Sequence, residues 1–324
     1  MRKAAIVTAL LLLIIVAGRG AGSRTVEAAE NQSGKLQVVT TLFPLYDWAK
    51  VVGGERVDVT LLLPPGVESH AFEPTPRDIA KMHKADIFIY MGDHMEPWVT
   101  SMVKGVSGDS LLVIDASEGI QLLQETDETA EPAHAHHQGD SKQRFHGDVD
   151  PHIWLEFNNA QEMVDTIARG LMKKDAAHKE RYEKRAEAYK SDLRELDDRF
   201  EQALAHCRHR TLIYGGHFAF GYFAKRFNLE VISPYRGFAP DAEPTPREIA
   251  QLIQKMKTFN IKYIFYEEGI EPKVARVIGQ EAGAELLMLH GAHNVTKDEL
   301  SAGVTYLSLM TDNLERLKTG LECQ

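Results

Sequence analysis

Cysteine is almost absent from this 324-residue chain: Cys207 and Cys323 are the only two. A thiolate cage for Cu(I) or an iron–sulfur cluster is therefore disfavoured. Whether the two pair and tie down the C-terminus, or stay as free thiols, is left open by sequence. A basic surplus is also missing. The net charge is −10 with no basic patch, which argues against nucleic acid and anionic membrane surfaces as partners. No HExxH helix marks a zinc hydrolase. No apolar run is long enough to be a confident membrane span, because Ala4 to Gly18 stops short of one. With Arg2 and Lys3 before it and small residues after it, that run reads as an export signal cleaved after Val26-Glu27-Ala28, giving a signal peptide over 1–28. A retained anchor helix is the alternative.

Glycine and proline are missing from Lys174 to His206, and there the apolar residues Tyr182, Ala186, Tyr189, Leu193, Leu196, Phe200 and Leu204 recur every three or four positions. That period predicts one amphipathic helix of about 50 Å. The chain on either side looks duplicated, with EPTPRDIAKM from Glu73 and EPTPREIAQL from Glu243. In each half the order is strand, helix, strand, EPTP loop, helix, strand, and in each loop a threonine precedes a proline that can open a helix. Alternation of this kind predicts an α/β fold of two similar lobes, each a mostly parallel sheet flanked by helices, joined by one long backbone helix. The expected domains are an N-terminal lobe over 35–173, the linking helix over 174–206 and a C-terminal lobe over 207–324. Within the first lobe, 125–148 is polar and aperiodic. Asn158 or Asn159 is expected to cap a helix running to Met172, and Thr296 to Leu317 is expected to form one closing helix.

Of the fourteen histidines, four stand in loops just past strands or at helix starts: His70, His152, His217 and His293. Ligands of such sheets collect outside the carboxyl ends of the strands, so these four could converge between the lobes. Four neutral imidazoles, or three and a carboxylate, suit tetrahedral Zn²⁺. Asp150 and Glu156 are candidate acceptors for the far nitrogen of His152. His206 and His209 read as favourable charges at a helix end, His83 and His178 as solvated, and His94 and His290 as near the cleft rim without a role.

In FPLYDWA (Phe43 to Ala49), SHAFEPTP, DPHIWL, GHFAFGYFA, PDAEPTP and the closing GVTYLSLM, taken in order, the chain resembles the zinc- and manganese-binding solute-binding proteins of metal ABC transporters, the cluster A-I or cluster 9 family. The resemblance covers nearly the whole mature chain. It implies metal held between two lobes by His70, His152 and His217, and delivery of Zn²⁺ to a membrane permease. Manganese-type members typically replace the third histidine with a carboxylate, so His217 favours zinc; a manganese binder is the alternative. The fourth ligand is expected to be His293, which stands where many members have a glutamate; Glu267, Glu268 or a water would be the competitors. His134, His136, His137 and His146 parallel the family's histidine-rich loop and would bind metal weakly. Arg19 follows Val16-Ala17-Gly18 where a lipobox cysteine would stand. The expected product is an exported monomer, in the periplasm or on the outer face of the cytoplasmic membrane. A zinc hydrolase using Glu68, Glu267 or Glu268 as base is the competing class. An all-histidine site should weaken as pH falls, since free imidazole titrates near ~6.5.

Overall fold

The computed structural model describes residues 34–106, 110–124, 149–217, 219–235, 244–269 and 271–324, and Lys35–Gln324 forms one unit. The expected signal segment 1–28 and the loop histidines His134, His136, His137 and His146 lie outside the described residues. Among the described residues no helix is long and apolar enough to cross a membrane.

Short β-branched and aromatic runs make the strands. β1 (Leu36–Thr40), β2 (Val57–Leu61), β3 (Ile87–Tyr90) and β4 (Leu112–Asp115) pair in parallel in the order β2-β1-β3-β4. α1 (Phe43–Gly53), α2 (Pro76–Met82) and α3 (Pro97–Val106) make the crossovers. After α4 (Phe157–Lys174) and α5 (Lys179–Leu204) the pattern restarts. β5 (Thr211–Ile213), α6 (Gly221–Phe227), β6 (Glu230–Ile232), α7 (Pro246–Phe259), β7 (Tyr263–Tyr266), α8 (Lys273–Ala282) and β8 (Glu285–Met288) follow in turn. β5 pairs β6 and β7 pairs β8, both in parallel, and a parallel bridge from Tyr214 to Phe265 joins the two pairs. The order β6-β5-β7-β8 therefore repeats that of the first sheet. α9 (Lys297–Ala302) and α10 (Tyr306–Gly320) close the chain.

The duplicated EPTP loops do the same local work twice. Thr75 accepts from the Asp78 N–H while the Asp78 carboxylate accepts from the Thr75 N–H; Thr245 and Glu248 repeat this reciprocal cap. Proline follows each threonine, where its missing N–H costs nothing.

The linking helix is shorter than its sequence period suggests. α4 ends at Lys174, a 3-10 turn covers Ala176–His178, and α5 begins at Lys179. Asp175 breaks the run. Its carboxylate accepts from the Tyr182 hydroxyl at 2.7 Å, lies 2.8 Å from His178 Nδ1 and pairs with Arg56 at 3.5 Å. Aspartate competing in this way for local partners leaves the helical path. His178 is thus half-buried and engaged rather than solvated. The 26 residues of α5 span about 39 Å. All seven residues of the expected apolar stripe are buried, against α4, α1 and α10. Each fully buried large side chain there contributes roughly 1.5–3 kcal/mol.

Two other expectations change, and one open question is settled. Glu156, not Asn158 or Asn159, caps α4, its carboxylate accepting from the Asn159 N–H at 2.8 Å. The closing segment is two helices, because Gly303 turns left-handed at φ 76° and Thr305 caps a new start. Cys207 and Cys323 are joined in a disulfide.

Candidate metal centre

His70 stands on the loop after β2. The Glu68 carboxylate folds that loop locally, accepting from the N–H groups of His70 at 3.0 Å and Ala71 at 2.7 Å. His152 follows Pro151 at the entrance to a 3-10 turn, with the Asp150 carboxylate accepting from its N–H at 3.0 Å. The next tryptophan locks the segment: Trp154 Nε1 donates to the Gly291 carbonyl at 2.7 Å, and the Tyr306 hydroxyl donates to the Trp154 carbonyl at 2.6 Å. His217 comes just past β5, after Gly215 and Gly216. A Cβ at Gly215 would stand 2.6 Å from the Ala275 Cβ, so only glycine lets the strand end approach α8 this closely.

These three imidazoles meet. Their ring centroids are 5.3 Å apart in all three pairings. Nε2 of His152 lies 3.3 Å from Nε2 of His70 and 3.3 Å from Nε2 of His217. Among the described residues they form the one group of histidines, cysteines and carboxylates whose ligand atoms all fall within 4.8 Å of one another. Tetrahedral zinc with Zn–N of about 2.0–2.1 Å places neighbouring nitrogens about 3.3–3.4 Å apart, which is the spacing seen here.

The outer nitrogens explain why the inner ones face inward. Asp150 Oδ1 lies 2.8 Å from His152 Nδ1, and Glu267 Oε2 lies 2.8 Å from His217 Nδ1. Each carboxylate accepts the Nδ1–H and leaves the Nε2 lone pair aimed into the cluster. Two such lone pairs at 3.3 Å repel each other unless a proton or a cation lies between them, so the arrangement suits a cation.

His293 is buried but stands outside the three-histidine group; its Nδ1 is 3.5 Å from Glu268 Oε1. Glu268 also accepts from the Gly291 N–H at 2.8 Å. Glu267 and Glu268, the expected rivals to His293 as ligand, thus both lie against the Nδ1 side of imidazoles. Glu156 is occupied in capping α4 and does not orient His152. His290, expected near the rim, is fully buried. Its N–H and carbonyl are both held by the Asn313 amide at 2.8 Å. His209 Nε2 lies 3.8 Å from Glu322, beside the disulfide.

Burial governs the charge states. It pushes His70 down to about 4 and His152 well below its usual range, and the neighbouring imidazoles push both the same way. His293 is lowered by burial too, against the pull of Glu267. His217 departs from this pattern: burial opposes its charge, but the hydrogen bond and charge of Glu267 outweigh it, so its value rises. Burial pushes Asp150 up to about 7, against the His152 N–H.

A cavity of about 60 Å³ lies beside the cluster, lined by carboxylates of Glu68, Glu267, Glu268 and Glu299 together with His293 and Asn294. Sequence reasoning passed over the pairing of Glu267 with His217. The available signal was strand adjacency, since Glu267 follows β7 and His217 follows β5, and those strands are neighbours.

The sequence matches the family described as zinc-uptake complex component A, periplasmic, over residues 38–320. It is 35% identical over 316 residues to the Bacillus subtilis "High-affinity zinc uptake system protein ZnuA", covering 98% of this chain and 96% of that one. It is 34% identical to the Streptococcus pyogenes "Zinc-binding protein AdcA" over 88% of this chain, but spans only 56% of that longer protein. The crystal structure of the Zn(II)-bound ZnuA-like domain of Streptococcus pneumoniae AdcA is similar with a TM-score of 0.74 at 31% identity, covering 89% of this chain and 100% of that one.

Proposed function

The chain belongs to the ZnuA zinc-uptake family, and on that premise we propose that it captures Zn²⁺ outside the cytoplasm and delivers it to the permease of an ABC uptake system. It is a solute-binding protein and not an enzyme. His70, His152 and His217 bind the ion through Nε2, and His293 completes a closed four-nitrogen shell. Asp150 and Glu267 hold the tautomers of His152 and His217 in place from behind. The observation that carries this reading is that His152 Nε2 lies 3.3 Å from Nε2 of both His70 and His217, a spacing matched to tetrahedral zinc. Glu267, once a candidate base for hydrolysis, faces an imidazole instead of a free coordination position. The ion is cargo, so the site's task is selective capture followed by release. The protein acts as a monomer that holds the ion between its two similar lobes.

Calorimetric zinc titration of the metal-free protein tests this. One zinc per chain is expected, with most of the affinity lost in His152→Ala and in His217→Ala. His293→Ala should weaken binding less than either, because His293 stands outside the three histidines whose ligand nitrogens already meet. Wild-type affinity in His152→Ala or His217→Ala would refute the site. Tighter binding of Mn²⁺ than Zn²⁺ would replace the cargo but keep the location.

A further inference from the structure

We infer that Asn294 is a positioning residue for the metal site: its amide fastens the turn leading to His70 onto the loop that presents His293. The inference rests on the zinc-site reading above.

His70 comes from the loop after β2 and His293 from the loop after β8, strands of different sheets. The first loop begins with a turn, Pro64-Pro65-Gly66-Val67, in which the Val67 N–H donates to the Pro64 carbonyl at 3.1 Å and Gly66 takes φ 79°. Two prolines leave this turn with few donors of its own, so its carbonyls need donors from elsewhere. Asn294 supplies them. Its Nδ2 donates to the Pro64 carbonyl at 2.9 Å and to the Val67 carbonyl at 2.7 Å. Its Oδ1 accepts from the Val295 N–H at 2.8 Å, which fixes the amide's rotation. The Gly66 N–H donates to the Val295 carbonyl at 3.0 Å, and the Phe43 N–H donates to the His293 carbonyl at 3.1 Å.

Asn294 is 5% exposed, so these bonds form away from solvent competition. A primary amide is the shortest neutral side chain that donates two hydrogens from one atom while accepting on another. Aspartate has the shape without the donors; serine has one donor. The loops carrying His70 and His293 therefore form one hydrogen-bonded body without the ion's help. Holding ligands in place beforehand reduces the ordering that binding must bring about.

Zinc release measured by chelator capture, together with the visible spectrum of the Co²⁺-loaded protein, tests this in full-length Asn294→Leu and Asn294→Asp. Both variants should keep the wild-type circular dichroism yet release zinc about tenfold faster or more. Both should also weaken the intense visible bands of tetrahedral cobalt, which a loss of folding stability alone would not do. If Asn294→Leu fails to fold, Asn294→Asp, which keeps the shape, decides alone. Wild-type release with an unaltered cobalt spectrum in the folded variants would overturn the inference while leaving the zinc site standing. So would opposite effects of the two substitutions, since that pattern reports added charge near the ion instead of lost positioning. If the wild type itself binds no zinc, the site reading fails and this inference with it.

Discussion

Acid should weaken zinc binding far less steeply than a set of ordinary histidines would allow. Zinc must displace any proton held at a ligating nitrogen, so the slope of log affinity against pH counts the protons released. Four unperturbed imidazoles, each titrating near ~6.5, would approach a slope of four at pH 5–6, or about 5.4 kcal/mol per pH unit. Burial has already removed that demand from most of this site. His70 is held down to about 4 and His152 well below its usual range, so both remain neutral through pH 5–6, and burial lowers His293 as well. His217 alone is raised, by Glu267, and must give up a proton. Asp150, pushed up to about 7 by burial, adds at most a second proton, because it must be ionised to accept fully from His152. Affinity is complete above the His217 value and falls as pH drops through it, by about 1.4 to 2.7 kcal/mol per unit. His70 joins only as pH approaches 4. Competition against a chelator of known protonation, repeated from pH 7.5 to 5, gives the slope. Calorimetry in buffers of different ionisation enthalpy counts the protons independently. A slope of three or more at pH 5–6 would refute the argument that burial keeps these imidazoles neutral.

Glu267→Ala should weaken zinc about 10- to 100-fold by freeing the His217 ring, with Glu267→Gln intermediate; a loss as large as that of His217→Ala, measured in the same titration, would instead make Glu267 a direct ligand. Replacing Cys207 and Cys323 by serine should cost up to about 5 kcal/mol in urea unfolding, given their separation of 116 residues, while zinc stoichiometry stays at one. Unchanged unfolding would mean the reduced chain is already constrained there. Glu96, buried at 2% exposure and accepting from the Met91 N–H, has its carboxyl pushed up to about 8 by burial. The unfolded chain releases this proton above ~4.5 and the folded one only near 8, so wild-type stability falls as pH rises between them. Glu96→Gln should therefore gain on wild type by roughly 3 kcal/mol between pH 4 and 7, and parallel pH–stability curves would contradict that.

Much of the fold is local physics that a sequence displays. The stripe from Tyr182 to Leu204 is a period, and the EPTP caps are short-range chemistry, so both could be read directly. The break at Asp175 is harder to read, because an apolar period does not register an aspartate whose carboxylate gathers His178 and Tyr182 nearby and Arg56 from 119 positions earlier along the chain. The same holds for the site. Its histidines were visible as loop residues at strand ends, and Asp150 was visible because it neighbours His152. The contact of Glu267 with His217 is not legible, because sequence gives proximity without direction: the carboxylate approaches His217 from the Nδ1 side. Closeness alone makes Glu156 a candidate partner for His152, but the start of α4 takes its oxygens. Fourteen histidines also hide a distinction of position between two buried ones, His290 held by Asn313 and His293 three residues on, lining the acidic cavity.

The bond between Cys207 and Cys323 has a topological result. It turns everything from the end of α5 to the last turn after α10 into a covalent ring, entered by the chain at a single point. A protease that cuts once inside the ring produces no separable fragment, and the nicked molecule keeps its full mass until a reductant is added. One cut before residue 207 yields two pieces at once. Denaturing electrophoresis of limited digests, with and without reductant, would thus map which half of the molecule opens first, and the half that holds His217 and His293 would remain a single body through its own first injury.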